Sequence, residues 1–473
     1  MTDYKLIIDG KKVATAETFP VLNPATEEVI AQCPKATPEH VDQAVAAARR
    51  AFPSWSATPD AERSRIVHAI ADALEAHSEE LSKLLTLEQG KPGVGFAGMG
   101  AAFEIGGTMA WAHATADLEL PVEVIQDNEE ARIEVHRKPL GVIGSITPWN
   151  FPLMIAIWHT MPALRSGNTV VIKPSEFTPL TTLRAAEIIN ELVPPGVFNI
   201  VTGDGSLGAA LSSHPDINKM VFTGSTATGK KIMQSAAGNL KRITLELGGN
   251  DAAIVLPDTD VAAAAPKIFA TALFNNGQTC AALKRLYVHE DIYDEMCEAL
   301  AAIARSVKTG DGSGEVDFGP IQNKAQFDKV CTIAREAKAS GARFLTGGEP
   351  VEGAGYFFPV TIVADIADDT RLVAEEPFGP ILPILKFTDV EDALRRANDS
   401  NNGLGGSVWS GDTQRASELA SRLECGTAWV NAHAMIQPNM PFGGVKESGL
   451  GVEFGRYGLE EYTNIQSLYI ARK

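Results

Sequence analysis

One thiol in the chain keeps unusual company. Cys280 lies in FNNGQTCAAL, after a polar, glycine-containing run and before two alanines. A core cysteine more often sits among large apolar residues. Here nothing bulky stands beside the sulfur, so a small electrophile could reach it, and a thiolate is a competent nucleophile. Two further residues have placements that chemistry could use. Glu246 ends the apolar run RITLE and is followed by Leu-Gly-Gly. A carboxylate at the carboxyl end of a parallel strand lies where such sheets hold their ligands; a satisfied edge carboxylate is the plainer alternative. Asn150 lies in TPWNFP, among two prolines and two aromatics. A rigidly held amide could donate to an oxyanion, and turn chemistry is its plainer alternative.

These residues need a scaffold, and the hydrophobic pattern supplies one. Apolar residues at spacings of three and four in VDQAVAAARRAF and IVHAIADALEAHSEELSKLL predict helices over 38–90. From 139 to 248 short β-branched runs (LGVIGSI, NTVVIKP, VFNIVTG, INKMVFTG, RITLELGG) alternate with helical stretches. This βαβ alternation predicts a parallel sheet covered on both faces, with a nucleotide site at the carboxyl ends of its strands. A second alternation runs from DAAIVLPD past TAWVNAHA. The segment 117–137 alternates like strands but interrupts the first unit, so it reads as a surface hairpin. The fold class is α/β: a Rossmann-like cofactor domain, a second α/β domain and a small β arm.

Two motifs mislead. GDGSLG, Gly203 to Gly208, matches GxGxxG, but the acidic residue expected about twenty positions later is absent. GSTATGKK, Gly224 to Lys231, misses a P-loop because Lys231 stands where Ser or Thr should hold magnesium. Glycine and free N–H groups at a helix start still suit phosphate.

Composition removes other classes. A chain of 473 residues exceeds one ordinary core, so two or three domains are expected. The net charge of −18 argues against nucleic acid and anionic membranes as partners. No apolar run reaches the ~18 residues that span a bilayer, and the start MTDYKLIIDG lacks signal-peptide features. The five cysteines are scattered without a CxxC, which fits a reducing cytoplasm. The nine histidines form no ligand-spaced pair, so no catalytic metal is expected.

Seven motifs in order, PWNFP, VIKPSE, FTGST, LELGG, NNGQTC, EEPFGP and PFGGVKESG, make the chain resemble the NAD(P)-dependent aldehyde dehydrogenases along essentially its whole length. The resemblance implies that Cys280 is the nucleophile, Glu246 the general base and Asn150 an oxyanion donor. The thiolate would form a thiohemiacetal, hydride loss to the nicotinamide would give a thioester, and water activated by Glu246 would release the acid. It implies cofactor contacts at Ile146, Thr147, Pro148, Trp149, Lys173, Ser175, Glu176, Gly205, Phe222, Gly224, Ser225, Leu247, Gly248, Glu376 and Phe378. Lys173 and Glu176 would hold the adenosine ribose, Gly224 and Ser225 the pyrophosphate, Glu376 and Phe378 the nicotinamide ribose. A 2′-phosphate would meet Glu176 as a like charge, so NAD is expected over NADP.

The same resemblance places Phe151, Met154, Ile155, Trp158, Thr279, Ala281, Ile436 and Phe442 around the aldehyde, with Met435 near one wall. Relatives similar to succinate-semialdehyde dehydrogenases carry an arginine where Trp158 stands, so apolar aliphatic or aromatic aldehydes are expected over carboxylated ones. Ala281 is expected to leave space beside the sulfur. The family often has a lysine nine positions after Asn150, relaying protons with a glutamate; here that position is His159, and Glu453 matches the glutamate. The implied units are 1–116 with 138–247 for NAD, 248–459 for catalysis, and 117–137 with 460–473 as an oligomerisation arm, making a homodimer or homotetramer. A coenzyme A-acylating relative generally lacks the base, so Glu246 speaks against that branch. A non-catalytic binding protein would have no reason to keep Cys280, Glu246 and Asn150 together.

Overall fold

A computed structural model describes residues 3–472. Met1 and Thr2 of the expected NAD unit and Lys473 of the expected arm lie outside them. Five parallel strands form the heart of the first sheet: Phe198–Ile200, Thr169–Lys173, Val142–Ile146, Lys219–Thr223 and Arg242–Glu246, in that spatial order. Four of them, all but the last, are buried at every position, as expected for parallel strands covered on both faces. The covering helices are α1 Pro38–Ser56, α2 Asp60–Glu75, α3 Ser78–Gln89, α4 Ala101–Ala116, α5 Pro152–Arg165, α6 Leu180–Asn190, α7 Gly205–Ser213 and α8 Thr226–Ala236. α5 and α6 lie on one face with α2 and α4 behind them, and their apolar residues share one core. α1, α7 and α8 cover the other face in a second core.

The strand order reverses beside Val142–Ile146. The chain winds outward through 169–173 and 198–200, then returns to place 219–223 on the opposite side. Such a switch point opens a crevice at the carboxyl ends of the two central strands. The register is even: Ile146 pairs with Lys173 and Phe222, and Thr223 with Glu246. The residues just past these strands therefore share one rim.

Only four residues, 247–250, separate this sheet from the second. Its order is Arg343–Phe344, Thr361–Ala364, Ile381–Phe387, Leu283–His289, Asp251–Val255, Gly405–Trp409 and Thr427–Val430. Cys280 precedes one of these strands, so the amino ends of the second sheet meet the carboxyl rim of the first. Gly449–Leu450 returns to pair with Leu245 and Glu246, which ties the two sheets a second time. The hairpin Glu123–Asp127 and Ala131–Pro139 is present as expected, and Thr463–Ala471 adds a third antiparallel strand.

α6 starts without a side-chain cap, because Pro179 occupies the capping position. Glu88 at the end of α3 replaces it: its carboxylate accepts from Leu180 N at 2.7 Å and Thr181 N at 2.9 Å. Glu88 has no exposed surface, and burial pushes its pKa up to about 7. The folded state thus holds this proton more tightly than the unfolded chain does. Stability should fall as pH rises from near 4.5 through about 7. In thermal unfolding at pH 5 and pH 8, Glu88→Ala should be destabilised at both values, by about 2 kcal/mol for stranded N–H groups. Glu88→Gln keeps an acceptor and removes the titration, so it should gain on the parent between the two pH values.

Candidate active site

The loop that carries Cys280 answers the puzzle of its sequence. Asn275, Asn276 and Gly277 take consecutive positive φ values of 52°, 58° and 72°, a conformation that glycine and asparagine tolerate best. A Cβ at Gly277 would stand 2.1 Å from Gly379 O. The polar run is therefore a left-handed turn packed against the 376–380 loop. The loop ties itself down through Thr279 Oγ1 to Phe274 O at 2.9 Å, and through Gln278 Oε1, which accepts from Gln322 N at 2.9 Å.

Cys280 remains partly exposed at the base of a cleft of about 200 Å³. Burial pushes its thiol up to about 12; the Lys284 ammonium acts against this, and the carboxylates of Glu376, Glu246 and Asp251 add to it. Asn150 is buried, and its Nδ2 donates to Gln278 O at 2.9 Å. That bond uses one of two amide hydrogens and leaves one to donate. Among the described residues the Cys280 N–H has no intramolecular acceptor, so it is a second available donor.

Glu246 is 4% exposed, and neither of its oxygens has a partner among the described residues. Burial first, and then the Glu453 carboxylate, hold its pKa well above the ordinary carboxylate value. Glu453, also buried, has Oε1 3.2 Å from His159 Nε2. His159 has no exposed surface and bridges Ser145 Oγ and Thr223 Oγ1 at 2.9 Å each. The fold thus brings Glu246, Glu453 and His159 into one buried cluster.

The cleft is lined by Pro148, Trp149, Asn150, Gly224, Ser225, Leu247, Gly248, Glu376 and Phe378 together with Cys280. Ile146 and Phe222 are buried at the strand ends behind it, and Thr147 Oγ1 is buried without a partner. A Cβ at Gly224 would stand 2.6 Å from the Phe222 ring, and one at Gly248 2.6 Å from Glu376 Oε2. Both glycines let these side chains pack directly on the backbone of the cleft. Ser225 caps α8 by accepting from Thr228 N, and a helix N-terminus with remaining free N–H groups suits a pyrophosphate. The near-P-loop lysine is not a phosphate anchor: Lys230 pairs with Glu447 at 2.8 Å.

Farther along the rim, Lys173 Nζ donates to Pro174 O and Gly203 O at 2.9 and 2.8 Å and lies 3.7 Å from Glu176 Oε2. Ser175 is buried and accepts from Phe177 N. Gly205 opens α7, whose start is capped by Asp204. The GxGxxG match therefore has its Ser206 N–H occupied, and Gly205 stands outside the cleft lining. On the opposite wall Phe378 has φ 50° and stands edge-on to Trp149 at 5.3 Å.

Sequence reasoning missed the cations behind that wall. Lys284 lies 2.7 Å from Glu376 Oε1 and donates to Cys280 O at 2.5 Å. Lys329 donates to Glu376 O at 2.7 Å. The spacing of Lys284, four residues after Cys280, was the one available signal.

The other approach to Cys280 is apolar. Phe151, Met154 and Ile155 pack with Trp158 and Phe274. Phe442 packs with Phe454, Trp429 and Ala281, flanked by Ile436. Trp158 and Phe454 meet edge to face at 4.6 Å. Ala281 has no exposed surface. Its side chain belongs to the cluster of Phe442, Phe454 and Trp429. Met435 is exposed, at the rim of this wall.

Comparison with known proteins agrees with this geometry. The aldehyde dehydrogenase family pattern matches residues 12–468. Phenylacetaldehyde dehydrogenase of Pseudomonas fluorescens is 40% identical, covering 99% of this chain and 96% of that protein. Chloroplastic betaine aldehyde dehydrogenase of Beta vulgaris is 39% identical, covering 98% and 95%. An NAD⁺ complex of an aldehyde dehydrogenase from Bacillus cereus superimposes with a TM-score of 0.96 at 38% identity, covering 100% of this chain and 97% of that one. An open thiol, a buried carboxylate and a nucleotide cleft at a sheet switch point thus occur in a chain matched along almost its entire length: it belongs to the aldehyde dehydrogenase family, oxidising aldehydes to acids with NAD.

Proposed function

We propose that Cys280 is the nucleophile, Asn150 and the Cys280 N–H the oxyanion donors, and Glu246 the hydrolytic base of an enzyme for apolar aldehydes. The observation that carries this reading is the convergence of the three side chains where the first sheet's rim meets the second sheet. Once the thiol has given its proton to solvent, Cys280 Sγ attacks the aldehyde carbon as the thiolate, and the developing oxyanion takes hydrogen bonds from Asn150 Nδ2 and the Cys280 N–H. The cleft residues, with Lys173 and Glu176, would hold NAD, whose nicotinamide would serve as the hydride acceptor. Glu246 then takes a proton from the water that cleaves the thioester on Cys280. Glu453 and His159 lie beside it to pass that proton on.

The raised pKa of Glu246 sets the direction of the pH response. A buried carboxyl becomes a base only as pH rises through its elevated value, so thioester hydrolysis should accelerate with pH. Cys280→Ala should abolish oxidation. Glu246→Gln should slow steady-state turnover at least a hundredfold, in the range of a lost general base, while an initial burst of NADH survives. Glu453→Gln removes the like charge and should move the rising limb to lower pH. Stopped-flow absorbance across pH checks all three; near-normal turnover by either Cys280→Ala or Glu246→Gln would end the assignment.

Substrate choice is set by the aromatic walls of Phe151, Trp158, Phe442 and Phe454. Their rings offer a distal carboxylate no free cation among the described residues, since Lys91 against Phe151 is already paired with Glu104, and each buried CH₂ adds about 0.8 kcal/mol. Glu176, half-buried at the rim, supports NAD over NADP. kcat/KM for hexanal, benzaldehyde and succinate semialdehyde, each with both cofactors, should favour the first two aldehydes and NAD. A clear preference for the semialdehyde overturns the reading of the tunnel.

The division into 1–116 with 138–247, 248–459, and an arm of 117–137 with 460–473 is supported by the two sheets and the three-stranded arm. The arm exposes Val122, Val124, Ile125, Ile465, Leu468, Tyr469 and Ile470. An apolar sheet of this kind suits a second copy of the chain, supporting a homodimer or homotetramer. The cytoplasmic assignment rests on five free cysteines; no described helix is long and apolar enough to cross a membrane. Light scattering should give a multiple of the 50.4 kDa chain mass, and Leu468→Asp with Ile470→Asp should shift it toward the monomer.

A further inference from the structure

A buried ion pair lies outside this chemistry yet reaches its edge. Lys91 lies just past α3 and Glu104 lies in α4. Their side chains meet at 2.5 Å, with 3% and no exposure respectively. Such pairs seldom stabilise a protein more than well-packed apolar residues would, so their contacts point to what they do. Lys91 Nζ donates to the backbone carbonyl of Asn150 at 2.9 Å and lies 4.1 Å from the centre of the Phe151 ring. Glu104 Oε1 accepts from Leu153 N at 3.1 Å and Met154 N at 3.2 Å.

Those N–H groups belong to the first turn of α5. Phe151 at the capping position has no side-chain acceptor, and Pro152 has no N–H. Glu104 therefore supplies the missing cap from another helix, and its charge suits the positive end of α5. Lys91 neutralises Glu104 and grips the chain on the other side of Pro152. The pair straddles the turn Asn150–Met154 and leaves it little freedom. The Asn150 carbonyl has a second donor, Asn275 Nδ2 at 2.9 Å. This donor comes from the loop of Cys280, so the turn is also referenced to the nucleophile.

We propose that the Lys91–Glu104 ion pair is the positioning element for Asn150, setting where its amide meets the oxyanion on Cys280. The inference rests on the reading of Asn150 as an oxyanion donor. Neither Lys91 nor Glu104 touches the reacting atoms; both act through the backbone at 150–154. A donor displaced by about 1 Å costs roughly a hundredfold in rate, and loss of one oxyanion donor about 10²–10³.

The test is a double-mutant cycle read in the NADH burst, which reports acylation. Lys91→Met alone strands a buried carboxylate and could fail to fold, so the main variant is Lys91→Met/Glu104→Gln, which removes both charges and keeps both volumes. With Asn150 present it should slow the burst at least tenfold. In an Asn150→Ala background it should slow it less than twofold, because there is no amide left to misplace. Alkylation of Cys280 by iodoacetamide should proceed at the parental rate, which a general loosening of the site would not allow. Equal slowing in both backgrounds, or a parental burst in the folded double variant, overturns the proposal. If Asn150→Ala alone leaves the burst unchanged, the oxyanion reading itself fails, and the proposal falls with it.

Discussion

Everything at the centre of this molecule depends on one junction. The last strand of the first parallel sheet ends at Glu246, and the first strand of the second begins at Asp251. Four residues cannot lead the chain around a sheet, so the carboxyl rim of one sheet must face the amino ends of the other. The rim collects the residues just past Ile146, Lys173 and Thr223; the second sheet contributes those just before Leu283. A nucleotide cleft and the Cys280 thiol are thereby placed against each other by strand register, before any side chain has made a contact. Gly224 N donating to Glu246 O, and Leu247 N to Ser448 O, close the junction from both sides.

That placement has an electrostatic consequence. Dense packing around the junction removes water from groups that must change charge. The thiol of Cys280 and the carboxyl of Glu246 are both pushed toward their protonated forms. The same dehydration strengthens every donor aimed at an oxyanion. Glu246 has no hydrogen-bond partner among the described residues. An unsatisfied buried carboxyl costs stability, and burial and the Glu453 carboxylate together hold this one toward its neutral form. Elsewhere the protein handles buried charge differently. Glu88 caps α6 and Glu104 caps α5, so each carboxyl replaces a missing helix cap by accepting from first-turn N–H groups.

The two flanks of Cys280 are built from different materials. The cleft has glycines, a capped helix start and two lysines, Lys284 and Lys329, bound to Glu376. The other flank has aromatic rings packed edge to face.

Local elements can be read from the order of residues alone. Strands Val142–Ile146, Thr169–Lys173 and Lys219–Thr223 and the helices between them are legible because hydrophobic period is a property of neighbouring residues. Cys280, Glu246 and Asn150 stand out because each lies in a short, chemically odd motif, and a resemblance across seven motifs suggests their roles. Which distant residues meet is a matter of the folded chain. Lys284 against Glu376, Glu453 against His159, and Lys91 with Glu104 beneath Asn150 join segments that local pattern cannot connect. Ala281 shows the same limit: its packing with Phe442 and Trp429 joins segments far apart in the chain. Periodicity specifies faces and edges, whereas the partner across a buried contact is chosen by the packing of the whole chain.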